Sequence, residues 1–203
     1  MSLNHPIIEA GNINLNRFAK LNRFAKSVFE ANPHNPTIET MDITNPEVQQ
    51  FLLSLYKNEV KYMLVGGVAI VFHGHIRTTQ DLDLWVEETP ENKKRLIKVL
   101  EEMNVPGALN YEKVEMVPGW STVTIGDHGF VADLMGYMKT FKKEDFDSCF
   151  QRAVTGDFDG IPITVIHIND LIAEKKATGR LKDLDDVENL EKVMKRKKKG
   201  KGE

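Results

Sequence analysis

The pattern of apolar and polar positions becomes regular after residue 45, where apolar residues recur at helical or strand spacing. Asn45 is suited to cap a helix that has Pro46 at its first position. The apolar stripe of this helix consists of Val48, Phe51, Leu52, Leu55 and Tyr56. Further helices are predicted at 67–72, 90–103, 168–178 and 181–194.

Short apolar runs between these helices predict strands. They lie at 62–65, 81–86, 121–125, 130–134 and 161–166. The sequence Gly126-Asp127-His128-Gly129 predicts a hairpin turn between two of them. Helices alternate with strands, but a hairpin is also present. We therefore predict an α+β fold with a mixed sheet flanked by helices and a helical C-terminal part.

Residues 1–45 lack this regularity and are predicted to form an N-terminal extension and linker. The hexapeptide Leu15–Lys20 is repeated without change at Leu21–Lys26, and its apolar positions fit one helical face. A single short repeat does not indicate a repeat protein, so we interpret it as a tandem duplication of the coding sequence. The prolines at 33 and 36 favour a linker, because residues that precede proline avoid helical geometry.

Composition and charge fit a single soluble domain with short terminal segments. The chain has 203 residues, 41% hydrophobic and 28% charged, which allows a sizeable core. Residues 195–203 carry a net charge of +5, which leaves −8 on the other 194 residues. We predict a domain at 46–194 and a basic, disordered tail at 195–203, with nucleic-acid contact by the tail as the alternative.

The chain shows no membrane segment and no disulfide framework. Its longest apolar run, 63–72, is far shorter than the roughly 20 residues that span a bilayer. Cys149 is the only cysteine, which excludes an internal disulfide and a multi-cysteine zinc site. No secretory signal is visible, so we expect a cytoplasmic location.

Two aspartates on one predicted strand are the first candidates for chemistry. Asp81 and Asp83 are two positions apart, so their side chains leave the same face of the strand. Paired carboxylates suit Mg²⁺, and a third is expected from a neighbouring strand. Asp133 is the candidate, because it lies in an otherwise apolar strand where an unpaired charge would be costly to bury.

Gly66 and Gly67 lie where a strand gives way to a helix. Without Cβ atoms, their backbone amides can approach a ligand closely, and a helix N-terminus favours anions. No Gly-Lys-Ser/Thr follows and the glycines are not spaced as in dinucleotide-binding loops, so neither common phosphate-binding motif is present. We expect phosphate to be held by these amides together with metal.

A segment rich in charge follows near the C-terminal end, from Asp170 to Val187. Lys175 and Arg180 in this segment could contact a triphosphate, in a reaction that depends on positioning and charge neutralisation. The ordered set of candidates is Gly66-Gly67, Arg77, Asp81-Leu82-Asp83, Asp133, Lys175, Arg180, Lys182-Asp183 and Asp186.

Taken in this order, these residues resemble the polymerase-beta-like nucleotidyltransferase superfamily. Within it, the chain is most similar to bacterial abortive-infection and toxin–antitoxin nucleotidyltransferases and to antibiotic nucleotidyltransferases. The resemblance covers about residues 46–194 and implies the nucleotidyltransferase fold. It also implies transfer of a nucleoside monophosphate from a nucleoside triphosphate such as ATP to an acceptor hydroxyl, with release of pyrophosphate.

The resemblance assigns roles to the candidate residues. It implies that Asp81 and Asp83 bind two Mg²⁺ ions, and that Asp133 completes the second metal site and helps to deprotonate the acceptor. It further implies nucleotide contacts, which we assign to Gly66, Gly67, Arg77, Lys175, Arg180 and Lys182. Arg77 and Lys182 could instead pair with nearby carboxylates.

The acceptor and the partner stay open. The acidic body suits a cationic small molecule such as an aminoglycoside, whereas the basic tail leaves tRNA possible and a protein hydroxyl is a third option. An antitoxin is a possible partner. The alternative function is a non-catalytic nucleotide- or RNA-binding module of a toxin–antitoxin pair. Trp85 and Trp120 either stack on a base or pack in the core.

Overall fold

A computed structural model describes residues 23–24, 27–34, 41, 43–126, 129–158 and 160–199. From residue 43 onward, the α-helices are α1 (Pro46–Lys57), α2 (Gly66–Phe72), α3 (Pro90–Glu102), α4 (Phe146–Arg152), α5 (Ile168–Thr178) and α6 (Leu181–Lys199). Residues 23–24 and 27–30 are also helical. The strands are β1 (Tyr62–Leu64), β2 (Asp81–Val86), β3 (Thr122–Ile125), β4 (Phe130–Met135), β5 (Val154–Phe158) and β6 (Ile161–Val165). Two 3₁₀ helices occupy Ala108–Glu112 and Lys143–Asp145.

The six strands form one mixed sheet in the order β3-β4-β2-β1-β6-β5. The β2–β4 and β1–β6 pairs are parallel, and the other neighbours are antiparallel. This arrangement confirms the α+β class with a mixed sheet flanked by helices. It also places β2, which carries Asp81 and Asp83, beside β4, which carries Asp133.

Local signals explain why most of these elements form where they do. The Asn45 side chain accepts from the Glu47 amide and caps α1, and Thr89 caps α3 in the same way through the Asn92 amide. Most of the predicted α1 stripe is buried, but Tyr56 is 52% exposed and is not part of the core. The predicted α1 stripe is therefore one residue too long.

One α-helix and one strand, α4 and β5, were not predicted. The short α4 contains an aspartate, a serine, a glutamine and an arginine among seven residues, so its two buried residues, Phe146 and Cys149, do not form a recognisable apolar stripe. The strand β5 lies at the edge of the sheet, contains Gly156 and alternates only weakly. Its stability comes from antiparallel pairing with β6, a non-local contact that the sequence pattern does not display.

The C-terminal helix is longer than predicted. α6 continues from Leu181 through Lys199, so residues 195–199 are helical and the prediction of a disordered tail beginning at 195 is wrong for them. Lysine and arginine are good helix formers, and cations are favourable at a helix C-terminus. Residues 200–203, most of the duplicated hexapeptides and the tip of the 126–129 hairpin lie outside the described residues.

No helix among the described residues combines the length and the apolar character needed to cross a lipid bilayer.

Candidate functional site

The aspartates of β2 and β4 open into one cavity of about 520 Å³. In the parallel β2–β4 register, Asp83 lies directly opposite Asp133. Leu82 and Leu84 leave the other face of β2 and are fully buried, as the two-residue period requires. The structure therefore brings Asp81, Asp83 and Asp133 to the same wall of the cavity.

The cavity also collects most of the other predicted site residues. The predicted residues among its lining are Gly66, Gly67, Arg77, Asp81, Asp83, Asp133, Lys175, Arg180 and Lys182. Its volume lies in the range of small-molecule sites. Every residue that the sequence proposed for metal or nucleotide binding thus lies at one place.

Gly66 and Gly67 are required because β2 passes close to them. A Cβ atom on Gly66 would collide with the Asp83 carboxylate, and one on Gly67 would collide with the Thr79 side chain. Gly66 also has φ +56°, which disfavours other residues. The Gly67 amide is directed to Asp83 Oδ2 at 3.4 Å. Gly66 therefore makes room for Asp83 and Gly67 for Thr79, and the contact of their amides with phosphate stays a prediction.

The environment of Asp83 disfavours its negative charge. Burial, followed by the charges of Asp81 and Asp133, raises the pKa of Asp83 to about 6. Burial is also the main reason that the pKa of Asp133 is raised, with Asp81 adding to it and the Gly119 amide opposing it. A cation beside these carboxylates would relieve both effects.

The two carboxylate oxygens of Asp133 differ in their hydrogen bonding. The Gly119 amide donates to its Oδ2 at 2.8 Å. Its Oδ1 is buried and has no hydrogen-bond partner among the described residues, although buried polar atoms are nearly always paired. The turn that supplies the amide is closed by the amides of Trp120 and Ser121, both of which donate to the Val117 carbonyl.

These features fit a divalent metal. Carboxylate oxygens are the ligands that Mg²⁺ prefers, and the site combines like charges, a raised Asp83 pKa and an orphaned Asp133 oxygen. Within the ranges that the structure describes, however, no three His, Cys, Asp or Glu side chains converge on one metal position. The carboxylates line the same cavity but are spaced more widely than the ligands of a closed metal site. Phosphate or water oxygens would therefore have to complete the coordination of the metal.

Three predicted phosphate ligands are bound to carboxylates. Lys175 Nζ contacts Asp183 Oδ1 at 2.9 Å and Asp186 Oδ2 at 3.2 Å. Arg77 Nη1 donates to Asp186 Oδ2 at 2.7 Å, and Arg180 Nη2 donates to Asp183 Oδ1 at 3.2 Å. We call Arg77, Lys175, Arg180, Asp183 and Asp186 the charge network. It holds three cations and two anions, so one positive charge is left over.

The charge network is part of the cavity wall. Asp183 and Asp186 are buried, and Lys175 is buried beside them. Burial tends to raise the pKa of Asp183, but hydrogen bonds from Arg180 and Lys175 hold it well below its usual range. Sequence reasoning named all five residues, but it could not show that Arg77 pairs with a carboxylate on α6, 109 positions away.

The structure adds cavity residues that the sequence did not single out. They are Val65, Thr79, Pro118, Gly119, Met135, Met138, Lys139, Leu171, Glu174 and Thr178. Glu174 fixes the chain after β4, because its Oε1 and Oε2 accept from the backbone amides of Lys139 and Thr140. Most of these residues lie within a few positions of a predicted site residue in the sequence, but Pro118 and Gly119 do not.

The two tryptophans, Trp85 and Trp120, differ in their burial. Trp85 is fully buried, donates from Nε1 to the Gly136 carbonyl and packs against Phe141 and Phe146, so it belongs to the core. Trp120 is 86% exposed. It directly follows Pro118 and Gly119, which line the cavity.

The mixed sheet presents two aspartates on one strand and a third on the parallel neighbouring strand, beside a glycine turn. This arrangement defines the class of nucleotidyltransferases. Residues 42–197 match the family described as nucleotidyltransferase of unknown function (DUF6036), and the chain belongs to this family. It is therefore a nucleotidyltransferase. No curated protein matches the chain.

Several solved structures are similar to the chain at low identity. The lincosamide antibiotic adenylyltransferase LnuA, bound to lincomycin, is 16% identical, with TM-score 0.48, and the match covers 74% of this chain and 98% of LnuA. The antibiotic-resistance factor ANT(2'')-Ia is 15% identical, with TM-score 0.47 and coverage of 76% and 91%. An antigenic nucleotidyltransferase-like protein from Paracoccidioides brasiliensis is 15% identical, with TM-score 0.45 and coverage of 71% and 74%.

Proposed function

We propose that the chain transfers a nucleoside monophosphate from a nucleoside triphosphate to an acceptor hydroxyl and releases pyrophosphate, with Mg²⁺ bound at Asp81, Asp83 and Asp133. The observation that carries this proposal is the register that sets Asp83 opposite Asp133 above a shared cavity. Bound Mg²⁺ would neutralise charge on the attacking and leaving oxygens of the displacement.

Asp133 is the proposed acceptor-side group. Its Oδ2 is held by the Gly119 amide, and its Oδ1 is the buried oxygen without a partner among the described residues. An oxygen in this state can accept the proton of an acceptor hydroxyl or a metal ion. Asp83, whose pKa is raised to about 6, is mostly ionised at neutral pH and mostly protonated in more acidic solution, and a bound cation would favour its ionised form.

Lys175, Arg77 and Arg180 act in this proposal mainly by shaping the cavity wall. Their bonds to Asp183 and Asp186 fix α5 and α6 against the loop before β2. Lys175 has a third donor hydrogen available for a phosphate oxygen. The base and the acceptor stay open, and a possible antitoxin partner and the cytoplasmic location stay predictions from the sequence.

The direct test measures label transfer. The protein is incubated with each α-labelled nucleoside triphosphate, Mg²⁺ and a panel of aminoglycosides, tRNA and protein. We expect transfer that falls by about a hundredfold to a thousandfold in Asp81→Ala, Asp83→Ala and Asp133→Ala, as when stabilisation of transition-state charge is removed. The matched control is Asp185→Ala, because Asp185 is an exposed α6 aspartate outside the cavity lining.

Two results would contradict the proposal. Transfer that survives all three substitutions would show that these carboxylates do not carry it. Nucleotide binding without transfer to any acceptor would favour the alternative, a non-catalytic nucleotide-binding module.

A further inference from the structure

Two lysines of the cavity have charges that no described carboxylate balances. Lys139 follows β4, and Lys182 lies in the first turn of α6; both line the cavity and both are exposed. No hydrogen bond or ion pair joins either ammonium group to another residue that the structure describes. The other cations of the lining, in contrast, belong to the charge network.

The backbone of Lys139 is held by a hydrogen bond, whereas its ammonium group is available to bind a ligand. Its backbone amide donates to Glu174 Oε1 at 3.0 Å, and the next amide, of Thr140, donates to Glu174 Oε2 at 2.8 Å. The chain after β4 is thereby attached to α5 at two points. A substitution at the Lys139 side chain leaves both of these bonds in place.

The charges of the cavity separate into two walls. The strand wall carries Asp81, Asp83 and Asp133 and is acidic. The rest of the lining carries Lys139, Lys182, the single positive charge left over in the charge network and the carboxylate of Glu174, which gives it a net charge of +2. In a nucleotidyl transfer, the α-phosphate reacts at the carboxylates and the β- and γ-phosphates leave with most of the negative charge.

On these grounds we infer that Lys139 and Lys182 form the subsite for the pyrophosphate leaving group. This inference rests on the proposed function, adds Lys139 to it and gives a specific ligand to Lys182, for which the sequence predicted only a nucleotide contact. Lysine ammonium groups act as point charges on phosphate and need no fixed geometry, which suits long side chains at the mouth of a cavity. Lys175, Arg77 and Arg180 line the same cavity, but their bonds to Asp183 and Asp186 already engage them.

The test measures the binding of pyrophosphate, ATP and AMP to the full chain by calorimetry. The variants are Lys139→Gln, Lys182→Gln and the double substitution, with Lys139→Arg as the charge-conserving variant. Lys94→Gln is the matched control, because Lys94 is an exposed α3 lysine outside the cavity lining. Circular dichroism confirms that each variant is folded.

We expect each single substitution to weaken pyrophosphate and ATP binding by about tenfold, the size of one charge-assisted hydrogen bond. The double substitution should weaken both further, whereas AMP, which lacks the leaving phosphates, should bind as before. Lys139→Arg should retain binding, and Lys94→Gln should change none of the three affinities.

The outcomes separate this inference from the proposed function. Unchanged ATP and pyrophosphate affinity in the double variant, with nucleotide transfer intact, would overturn the subsite and leave the function standing. An equal loss of AMP binding, or the same loss in Lys94→Gln, would also overturn it. If pyrophosphate binding depends on both lysines but the protein transfers no nucleotide, the subsite stands and the proposed transfer fails.

Discussion

The carboxylate of Asp83 lies where its charge is unfavourable. It is enclosed by Gly66 and Gly67, faces Asp133 across the β2–β4 pair and shares a strand face with Asp81. Its single backbone donor, the Gly67 amide, lies at a long 3.4 Å. The surroundings of this carboxylate therefore destabilise its ionised form, as is common at functional sites.

Asp83→Asn should therefore stabilise the metal-free protein at neutral pH. The folded pKa of about 6 exceeds the ordinary 3.8, so the stability linked to protonated Asp83 is complete below pH 3.8 and is lost as the pH rises through about 6. After allowance for solvent screening, the expected gain in the free energy of unfolding is about 2 kcal/mol above about pH 7.

Urea unfolding in EDTA at about pH 7.5 and about pH 4 measures this gain. The difference between Asp83→Asn and the unsubstituted protein should be large at the higher pH and should shrink at the lower one. Asp185→Asn, at an exposed position, should change little at either pH. A loss of stability in Asp83→Asn at about pH 7.5 would contradict the electrostatic account.

The pair α5 and α6 is joined by buried charge as well as by apolar packing. Gly179 ends α5 in a left-handed conformation, with φ +68°, and lets α6 begin two residues later. Asp183 then enters the interior, where Lys175 and Arg180 balance it. Leu190 and Val187 bury the apolar side of α6.

Asp183→Asn should destabilise the protein by about 3–5 kcal/mol, because it leaves the buried Lys175 with only one carboxylate. Adding Lys175→Met should restore part of this loss, since an apolar side chain needs no counter-charge. Thermal and urea unfolding measure both effects, with Asp185→Asn as the control. A double variant less stable than Asp183→Asn would argue against the charge account.

Local sequence signals were sufficient for most elements and for choosing residues that meet at the cavity, whose roles stay predictions. Caps at Asn45 and Thr89, glycines at turns and the two-residue period of Asp81 and Asp83 are short-range features. The strand β5 and the pairing of Arg77 with Asp186 depend on distant partners, so no local pattern reveals them. Lys139 was not predicted as a site residue for the same reason, because the hydrogen bond from its amide to Glu174 forms only in the folded chain.

The sheet and the charge network together make the cavity a property of the complete domain. The cavity is lined by residues from positions 65 to 182, and the β2–β4 pair and the Arg77–Asp186 bond close it from different sides. A ligand bound to this cavity contacts elements from both halves of the chain, so it should stabilise the entire fold.

A non-hydrolysable ATP analogue with Mg²⁺, at about a hundredfold above its dissociation constant, should raise the free energy of unfolding by about 2.7 kcal/mol. For a domain of this size, the melting temperature should rise by about 5 to 10 °C. The analogue in EDTA should give a smaller shift, and Asp81→Asn combined with Asp83→Asn should lose the dependence on Mg²⁺. A shift that is the same with Mg²⁺ and EDTA would count against metal at these aspartates.

The bond between Arg77 and Asp186 joins positions 109 apart in the chain. Because residues from both ends of the domain must meet before the cavity exists, a partly folded molecule has no partial site. Catalytic activity would then be all or none for each molecule, and the specific activity of a preparation would report the fraction of chains that have folded completely.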